Sequence, residues 1–495
     1  MKRFTILLIF CLAFTCAEGV YAVMKDSLLI ADALQSNMVL QQNKSFKVWG
    51  TAKAGVQVSI QADWMANPVH TTVEQDGTFL GIIDVPIARK GDFNPHQIQV
   101  STAGEKKVLS NLLIGEVWFC SGQSNMQFAV KEMIGADEVL KEADEPNIRL
   151  LNVGLNFSAS PIGQFLGKWQ VSNMESVKGF SAVGYTFGQK LYKELNIPIG
   201  LIFSGIGASG VQAYIPQDEL AKNNRLNETY LKPYLESPKA AEKIDGGFSF
   251  EKVVRPYLLY NAMIHPFLNL SIKGICWYQG EANHMERESY VTATQVMISS
   301  WRERFKQGDL PFYYVQIAPY FHEKEDPKLA FDAFFREAQE KVSSLNNTAM
   351  VSTMDVGEAK DLHPKNKKPV GLRLAAVALN RVYNQLSVPY QGPQYSHVDF
   401  KKNTAAVSFR PESLGTGLNT NDGAAPAFFY LAGADKVFYP ATAKIVGNTV
   451  VLSSKNVKSP KSVRYAFFNY PVTNLQNKEG FPVNPFRTDD WAETQ

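Results

Sequence analysis

The stretch SGQSNM (residues 121–126) directly follows an apolar run that begins at Leu112. Such a run predicts a buried strand, and Gly122 permits a tight turn at its end. Ser124 would then stand where a helix begins, beside backbone N–H groups that stabilise developing negative charge. This is a suitable position for a nucleophilic serine, although a lone Gly-x-Ser more often marks a helix cap. The rest of the chain decides between the two interpretations.

From residue 111 to 386, strand-like and helix-like patterns alternate. Six apolar runs predict strands, at residues 112–119, 148–153, 197–203, 274–278, 312–317 and 349–354. Apolar residues between them recur at helical spacing, as in the series Phe180, Val183, Phe187 and Leu191. The alternation predicts an α/β domain whose largely parallel sheet is covered by helices on both faces. Ligands of such sheets bind beyond the carboxyl ends of the strands.

Two regions of short strands flank this α/β domain. Residues 23–110 contain alternating runs separated by turn residues such as Gly50 and Gly77, which predicts an N-terminal β-sandwich. Residues 387–495 return to short strands broken by glycine and asparagine, which predicts a small C-terminal β-domain. A chain of 495 residues is long enough for about three domains.

Residues 1–22 have the pattern of a signal peptide. Lys2 and Arg3 precede an apolar run that is shorter than the roughly 20 residues needed to span a bilayer, and small residues lead to a cleavage site near Ala22. We therefore expect an exported protein, periplasmic or extracellular, without a membrane span.

Charge and cysteine content exclude several classes of protein. A net charge of +3 with evenly mixed signs gives no basic face for nucleic acid or membrane. After cleavage only Cys120 and Cys276 remain, either as a disulfide or as two buried thiols. The seven histidines show no metal-ligand spacing, so we do not expect a structural zinc site. The serine chemistry considered below requires neither a metal nor an organic cofactor.

Four segments that each follow a predicted strand carry complementary chemistry. They contain Ser124, Gly207, Asn283 and the pair Asp361 and His363. Because the carboxyl ends of parallel strands meet at one edge of a sheet, we expect these segments to converge. Ser124 would be the nucleophile, His363 the base and Asp361 its acidic partner. The N–H groups of Ser124 and Gly207, with the side-chain amide of Asn283, would form an oxyanion hole.

Each of these residues also has an ordinary interpretation as a turn or capping residue, and only their joint occurrence favours catalysis. Three neighbours, Gln123, Gln279 and Glu281, are candidates for orienting the catalytic groups or contacting substrate. The acid beside His363 stays open, with Glu281, Asp355 and Glu358 as alternatives to Asp361 and a Ser–His dyad as a further one. For His284 we expect solvent exposure.

Four sequence blocks resemble the SGNH hydrolases and, more narrowly, the sialate O-acetylesterase family. They are GEVWFCSGQSNM (115–126), NAMIHP (261–266), GICWYQGEAN (274–283) and DLHP (361–364). The resemblance implies a flavodoxin-like SGNH core and an esterase that forms an acyl-enzyme on Ser124 and removes O-acetyl groups from a sugar, above all from sialic acid. One departure from the family pattern is Ile206-Gly-Ala-Ser209 where the family usually has Trp-Gly-Gly-Thr.

Two other functions fit the same residues. One is an acetylesterase that acts on acetylated xylan or pectin, with unchanged chemistry. The other is a catalytically inactive glycan-binding protein, which would have no need of the complete Ser, Gly, Asn and His set.

Overall fold

The computed structural model of the protein describes residues 27–322 and 329–493. The predicted signal peptide lies outside the described residues. Among these the strands are β1 (Leu29–Ile30), β2 (Val39–Gln41), β3 (Lys44–Thr51), β4 (Gln57–Ala62), β5 (Val69–Thr72), β6 (Thr78–Val85), β7 (His96–Ser101), β8 (Lys106–Gly122), β9 (Ile148–Asn152), β10 (Trp169–Val171), β11 (Ile199–Phe203), β12 (Gly274–Tyr278), β13 (Phe312–Val315), β14 (Thr348–Val351), β15 (Tyr395–Lys401), β16 (Thr404–Phe409), β17 (Leu418–Thr420), β18 (Phe429–Ala432), β19 (Phe438–Pro440), β20 (Thr442–Val446), β21 (Thr449–Ser453), β22 (Ser462–Tyr465), β23 (Leu475–Asn477) and β24 (Phe486–Arg487).

The α-helices are α1 (Ser124–Gln127), α2 (Ala136–Lys141), α3 (Met174–Lys178), α4 (Ala182–Leu195), α5 (Gln217–Lys222), α6 (Asn224–Leu226), α7 (Lys232–Leu235), α8 (Glu288–Phe305), α9 (Phe331–Lys341) and α10 (Lys368–Arg381). Short 3₁₀ and π turns complete the chain, at Val130–Glu132, Val211–Tyr214, Asn227–Leu231, Pro238–Ala241, Lys252–Val254, Tyr260–Ile264, His265–Phe267, Glu281–Asn283, Val342–Ser344 and Pro411–Ser413.

The centre of the molecule is a sheet in the order β10-β9-β11-β8-β12-β13-β14. All neighbours in it are parallel except the edge strand β10, which pairs antiparallel with β9. The six runs expected from the sequence overlap β8, β9, β11, β12, β13 and β14. A mixed α/β fold with a large central sheet is therefore present.

Helices cover both faces of this sheet because its strands are apolar on both sides. Along β8, Trp118 packs into the core that contains α4 and α10, whereas its neighbour Phe119 points into the core that contains α8 and α9. Successive side chains of a strand alternate between the two faces, so a continuous apolar run serves two cores at once.

The strand β8 joins the N-terminal sheet that contains β4, β5 and β7 to the central sheet without a break. Its first residues pair with β7, Leu113 pairs with Val39 of β2, and residues from Glu116 onward pair with β11 or β12. The expected boundary between residues 110 and 111 thus falls inside one 17-residue strand. The N-terminal region and the first site segment consequently share a single backbone element.

Two sheets face each other in the N-terminal region. One contains β1, β3 and β6, and the other contains β5, β4, β7 and the start of β8. They approach so closely that a Cβ added to Gly81 would lie 2.1 Å from the Ile60 side chain. Val48 and Val100 belong to the shared core.

The C-terminal region forms the sheets β15-β16-β21-β20 and β19-β18-β22-β24, with the pair β17-β23 beside them. It is fastened to the α/β region by Arg487, whose guanidinium donates to both carboxylate oxygens of Glu337 on α9 at 2.8 and 3.0 Å. Near the end of the chain, the Trp491 ring packs on Phe438 at 5.4 Å. The tail is therefore part of the folded structure.

Cys120 and Cys276 are free, buried thiols that lie opposite each other on β8 and β12. Of the two interpretations left open by the sequence, the structure has the free thiols. No helix among residues 27–322 and 329–493 is both long and apolar enough to cross a bilayer.

Candidate active site

The site begins at the carboxyl end of β8, where the chain turns sharply. Gly122 has φ +138°, and a Cβ at this position would lie 2.2 Å from the carbonyl oxygen of Tyr278. Only glycine fits this close approach to β12. Gln123 is extended and its N–H donates to the same carbonyl at 3.0 Å, after which Ser124 starts the single turn of α1. The turn leaves Ser124 partly exposed.

Ser124 and His363 are in direct contact although 239 residues separate them. His363 lies on the loop that follows β14, and its Nε2 is 2.8 Å from the Ser124 hydroxyl oxygen. This is the geometry that a base needs to take the hydroxyl proton. The structure thus brings together two of the segments that follow predicted strands.

Asp361 lies near the other ring nitrogen of His363, but beyond hydrogen-bonding distance. Its Oδ1 is 3.8 Å from Nδ1 and accepts a hydrogen bond at 2.8 Å from the backbone N–H of His363. Among the described residues it is the one acid within 4.0 Å of the ring. The alternatives are held elsewhere: Asp355 pairs with Arg373 at 2.6 Å, and Glu358 accepts from the N–H of Lys365 at 2.6 Å.

Of the expected oxyanion donors, Gly207 adjoins the serine and Asn283 is held by other partners. A Cβ on Gly207 would lie 3.4 Å from the Ser124 Cβ, and the Gly207 N–H donates to the side-chain oxygen of Gln127 at 2.9 Å. The Asn283 amide nitrogen donates to Gln212 at 3.2 Å and to Glu286 at 2.9 Å. Both of its N–H groups are thus already in use.

Gln123 and Gln279 are interior residues that fix the turn after β12. Gln123 is 2 % exposed and its side-chain oxygen accepts from the N–H groups of Gly280 and Ala282 at 3.2 and 3.3 Å. Gln279 is fully buried and donates to the Asn283 side-chain oxygen at 2.7 Å. Both glutamines position the loop that carries Asn283.

A buried chain of polar groups, which sequence reasoning missed, ties the serine segment to the histidine loop. Asn125 donates to the Glu281 carboxylate at 2.5 Å and to the carbonyl of Leu362 at 3.1 Å, and it accepts from the Lys367 ammonium. Asn125 follows the serine and Leu362 precedes the histidine. One side chain therefore links the two halves of the Ser–His pair.

Lys367 is 1 % exposed, and its ammonium lies 4.7 Å from the centre of the Phe128 ring. Burial lowers the pKa of Lys367 to about 7, against the opposing charge of Glu281. Burial also raises the pKa of Glu281, whose Oε2 is enclosed without a hydrogen-bond partner among the described residues. Of these two groups, Lys367 acts on the pKa of His363.

The pKa of His363 is lowered first by burial and then by the nearby charge of Lys367, while Asp361 and Glu132 act in the opposite direction. A lowered pKa keeps the imidazole neutral near pH 7. A neutral imidazole is the form that can accept a proton from serine.

A groove of about 450 Å³ opens beside the Ser–His pair. This volume is within the range of small-molecule sites. Besides Ser124 and His363, its walls are formed by Gln127, Phe128, Ala129, Lys131, Glu132, Asn152, Gly179 and Phe203. His284 is not among them: it is half-buried against the carboxylate of Asp332, contrary to the exposure expected for it.

Three comparisons place the chain among known proteins. A family model described as "Carbohydrate esterase, sialic acid-specific acetylesterase" matches residues 114–380. Sialate O-acetylesterases of Mus musculus and Homo sapiens are each 26 % identical to the chain, over 407 and 400 residues; the alignments cover 73 % of this chain and 75 % and 72 % of those proteins. The crystal structure of a carbohydrate acetylesterase from Xanthomonas citri superposes with a TM-score of 0.82 at 29 % identity, covering 94 % of this chain and all of that one.

Proposed function

Because this chain belongs to the sialic acid-specific acetylesterase family of carbohydrate esterases and is thus a carboxylic ester hydrolase, we propose that it removes O-acetyl groups from a carbohydrate through an acyl-enzyme on Ser124. The observation that carries the proposal is the 2.8 Å contact between the Ser124 hydroxyl and His363 at the edge of the groove. A serine that only caps a helix would need no histidine beside its hydroxyl group.

In the proposed reaction, the Ser124 oxygen attacks the acetyl carbonyl carbon while His363 Nε2 takes the hydroxyl proton. The tetrahedral intermediate collapses, the bond to the sugar oxygen breaks, and His363 returns the proton to that oxygen. Water then attacks the acetyl-enzyme with His363 again as base. Acetate leaves and Ser124 regains its proton. Asp361 favours the charged imidazole in both steps by its negative charge.

The backbone N–H groups of Ser124 and Gly207 are the proposed oxyanion donors. Among the described residues, that of Ser124 has no acceptor, whereas that of Gly207 is engaged by Gln127. Gln127 is exposed and can rotate away when substrate enters. Asn283 could join the hole only by giving up its bond to Gln212 or Glu286, so its proposed role includes that rearrangement.

The strand order supports a flavodoxin-like SGNH core. If only the five strands β8, β11, β12, β13 and β14 are numbered in chain order, their order in the sheet is 2-1-3-4-5, as in flavodoxin. The strands β9 and β10 extend the sheet beyond β11. We retain the three-part division at residues 23–110, 111–386 and 387–495, with β8 shared by the first two parts. We also propose export after cleavage near Ala22.

O-acetylated sialic acid is the proposed substrate, since the curated relatives are named sialate O-acetylesterases. The groove offers Lys131 as an exposed cation that suits the sialate carboxylate. Acetylated xylan or pectin is the second candidate, because the similar Xanthomonas protein is described more broadly as a carbohydrate acetylesterase.

The decisive experiment compares the protein with Ser124→Ala. We expect turnover of p-nitrophenyl acetate and of one of three acetylated carbohydrates, 9-O-acetylated sialic acid, acetylxylan or acetylated pectin fragments, with both activities lost in the variant. Equal acetate release by the two proteins would overturn the esterase proposal and favour a glycan-binding protein. Release from xylan or pectin alone would overturn the sialic acid assignment and leave the chemistry intact.

A further inference from the structure

Gln127 brings a side-chain amide to the edge of the Ser–His pair. It is the last residue of α1, the single turn that Ser124 begins, and it is exposed on the wall of the groove. Its side-chain oxygen accepts a hydrogen bond from the backbone N–H of Gly207 at 2.9 Å. A Cβ added to Gly207 would lie 3.5 Å from this oxygen and 3.4 Å from the Ser124 Cβ. The amide oxygen and the nucleophilic side chain therefore adjoin the same glycine.

The amide oxygen of Gln127 satisfies the distance that a substrate carbonyl oxygen needs. Oxyanion donors act at about 2.7–3.1 Å from the oxygen on which charge develops. The Gln127 oxygen lies within that range of the Gly207 nitrogen. Because a backbone N–H group has only one proton to donate, Gly207 cannot hold both oxygens at full strength. The glutamine oxygen and an ester carbonyl oxygen thus compete for one donor.

The loop that carries Gly207 is held in place without Gln127. The N–H of Val211 donates to the Asn283 side chain at 3.0 Å, and the Gln279 side chain donates at 3.1 Å to the carbonyl two residues after the glycine. Asn283 and Gln279 are buried, whereas the bond to Gln127 is exposed. Removal of the Gln127 amide should therefore leave the donor of Gly207 where it is.

We propose that, in the substrate-free protein, the Gln127 amide occupies the oxyanion position at Gly207, and that an ester substrate must displace it in order to bind productively. This inference rests on the proposed acyl transfer at Ser124. The competing bond is the same whichever sugar carries the acetyl group, so displacement weakens the binding of every ester by one factor. Gln127 thereby sets the affinity for substrate, and once displaced it takes no part in the transition state.

Gln127→Met tests the proposal, because methionine is similar in length and its thioether is only a weak acceptor. We expect kcat/KM for p-nitrophenyl acetate to rise by roughly 2–10-fold through a lower KM, which is the effect of losing one competing hydrogen bond. The acetylated carbohydrate that the wild-type chain hydrolyses should show the same rise. Gln127→Ala should behave alike, because it also removes the competing oxygen. Gln57→Met, which changes an exposed glutamine of β4, is the matched control and should leave kcat and KM unchanged.

Several results would overturn the role of Gln127. A lower kcat/KM in both Gln127 variants would identify a group that holds the loop or the substrate, and unchanged constants would mean that the contact has no influence on binding. A lower KM in Gln127→Met alone would reveal an apolar contact made by the methionine. A change confined to the carbohydrate would identify a sugar contact.

The Ser124→Ala variant separates this inference from the esterase proposal on which it rests. Full activity in Ser124→Ala would overturn the acyl transfer and the role of Gln127 with it. An inactive Ser124→Ala together with Gln127 variants that are no better than the wild-type chain would overturn the role of Gln127 alone.

Discussion

Replacing Asp361 by asparagine measures how an acid that lies close to the base without a hydrogen bond contributes to catalysis. The substituted amide oxygen can still accept from the backbone N–H of His363, so the loop keeps its 2.8 Å contact. What is lost is a negative charge 3.8 Å from the imidazole. At that distance the interaction is worth about 1 kcal/mol in water and about 4 kcal/mol at an effective dielectric constant of about 20.

The exposure of the two side chains to solvent, which screens their charges, decides which of these two interaction energies applies. About 40 % of the Asp361 side chain and 38 % of that of His363 are exposed, so the expected loss lies near the lower one. We therefore expect kcat/KM for p-nitrophenyl acetate to fall by roughly 5–10-fold. An aspartate that is buried and hydrogen-bonded to the base would cost about 10⁴-fold instead. The acidic limb of the pH profile should also move to lower pH, because the charge of Asp361 raises the pKa of His363.

Glu358→Gln is the matched control, since it removes a charge from the same loop while keeping an acceptor for the Lys365 N–H. It should change kcat/KM by less than about two-fold. A loss near 10⁴-fold in Asp361→Asn would refute the reasoning, because it would mean that the carboxylate closes onto Nδ1 in the working enzyme. Unchanged activity and an unchanged pH profile would remove Asp361 from the site altogether.

Three further perturbations test other parts of the site. Lys367→Met should move the acidic limb of the kcat/KM profile to higher pH, because the lysine charge lowers the pKa of His363. Lys368→Met, which replaces an exposed neighbour, should leave the profile unchanged. Identical profiles for Lys367→Met and the wild-type chain would contradict this electrostatic role. Gly122→Ala should lower the free energy of unfolding in urea by about 3 kcal/mol or more, whereas Gly104→Ala, whose new Cβ meets open space, should be nearly neutral. Lys131→Ala should raise KM for 9-O-acetylated sialic acid by about 5-fold, which corresponds to the loss of one exposed ion pair. The KM for p-nitrophenyl acetate, which has no carboxylate, should not change. Equal effects on both substrates would argue against a carboxylate contact.

The central sheet and the Ser–His pair were predictable because both depend on local patterns. A strand buried on both faces must be continuously apolar, and Gly274–Tyr278 begins and ends where the sequence predicts. Ser124 and His363 follow such strands, so topology alone brings them to one edge. The length of β8 was not predictable, since its first residues are exposed and polar and resemble the end of a separate domain.

The surroundings of the pair depend on side-chain direction, which the sequence does not specify. Asn283 does follow a strand as expected, but Gln212 and Glu286 take up both of its N–H groups. Lys367 lies in the run KNKKP (365–369), where exposure is the usual fate of a lysine. Its burial arises because the rings of Phe128 and Tyr278 close over it, and both come from distant segments.

Asn125 connects the part of the site that the strand pattern predicts to the part that depends on side-chain contacts. Ser124 is positioned by β8, which is bonded on both sides within the sheet, whereas His363 stands on a loop without regular secondary structure. The 2.8 Å contact between them therefore depends on what holds that loop, and the Asn125 bond to the Leu362 carbonyl acts directly beside the base. Because the same side chain bonds both Glu281 and Lys367, its orientation is fixed by a buried acid and a buried base at once. It follows that the residue after the nucleophile, although it touches no reacting atom, couples the geometry of the Ser–His pair to Lys367, whose charge lowers the pKa of the histidine.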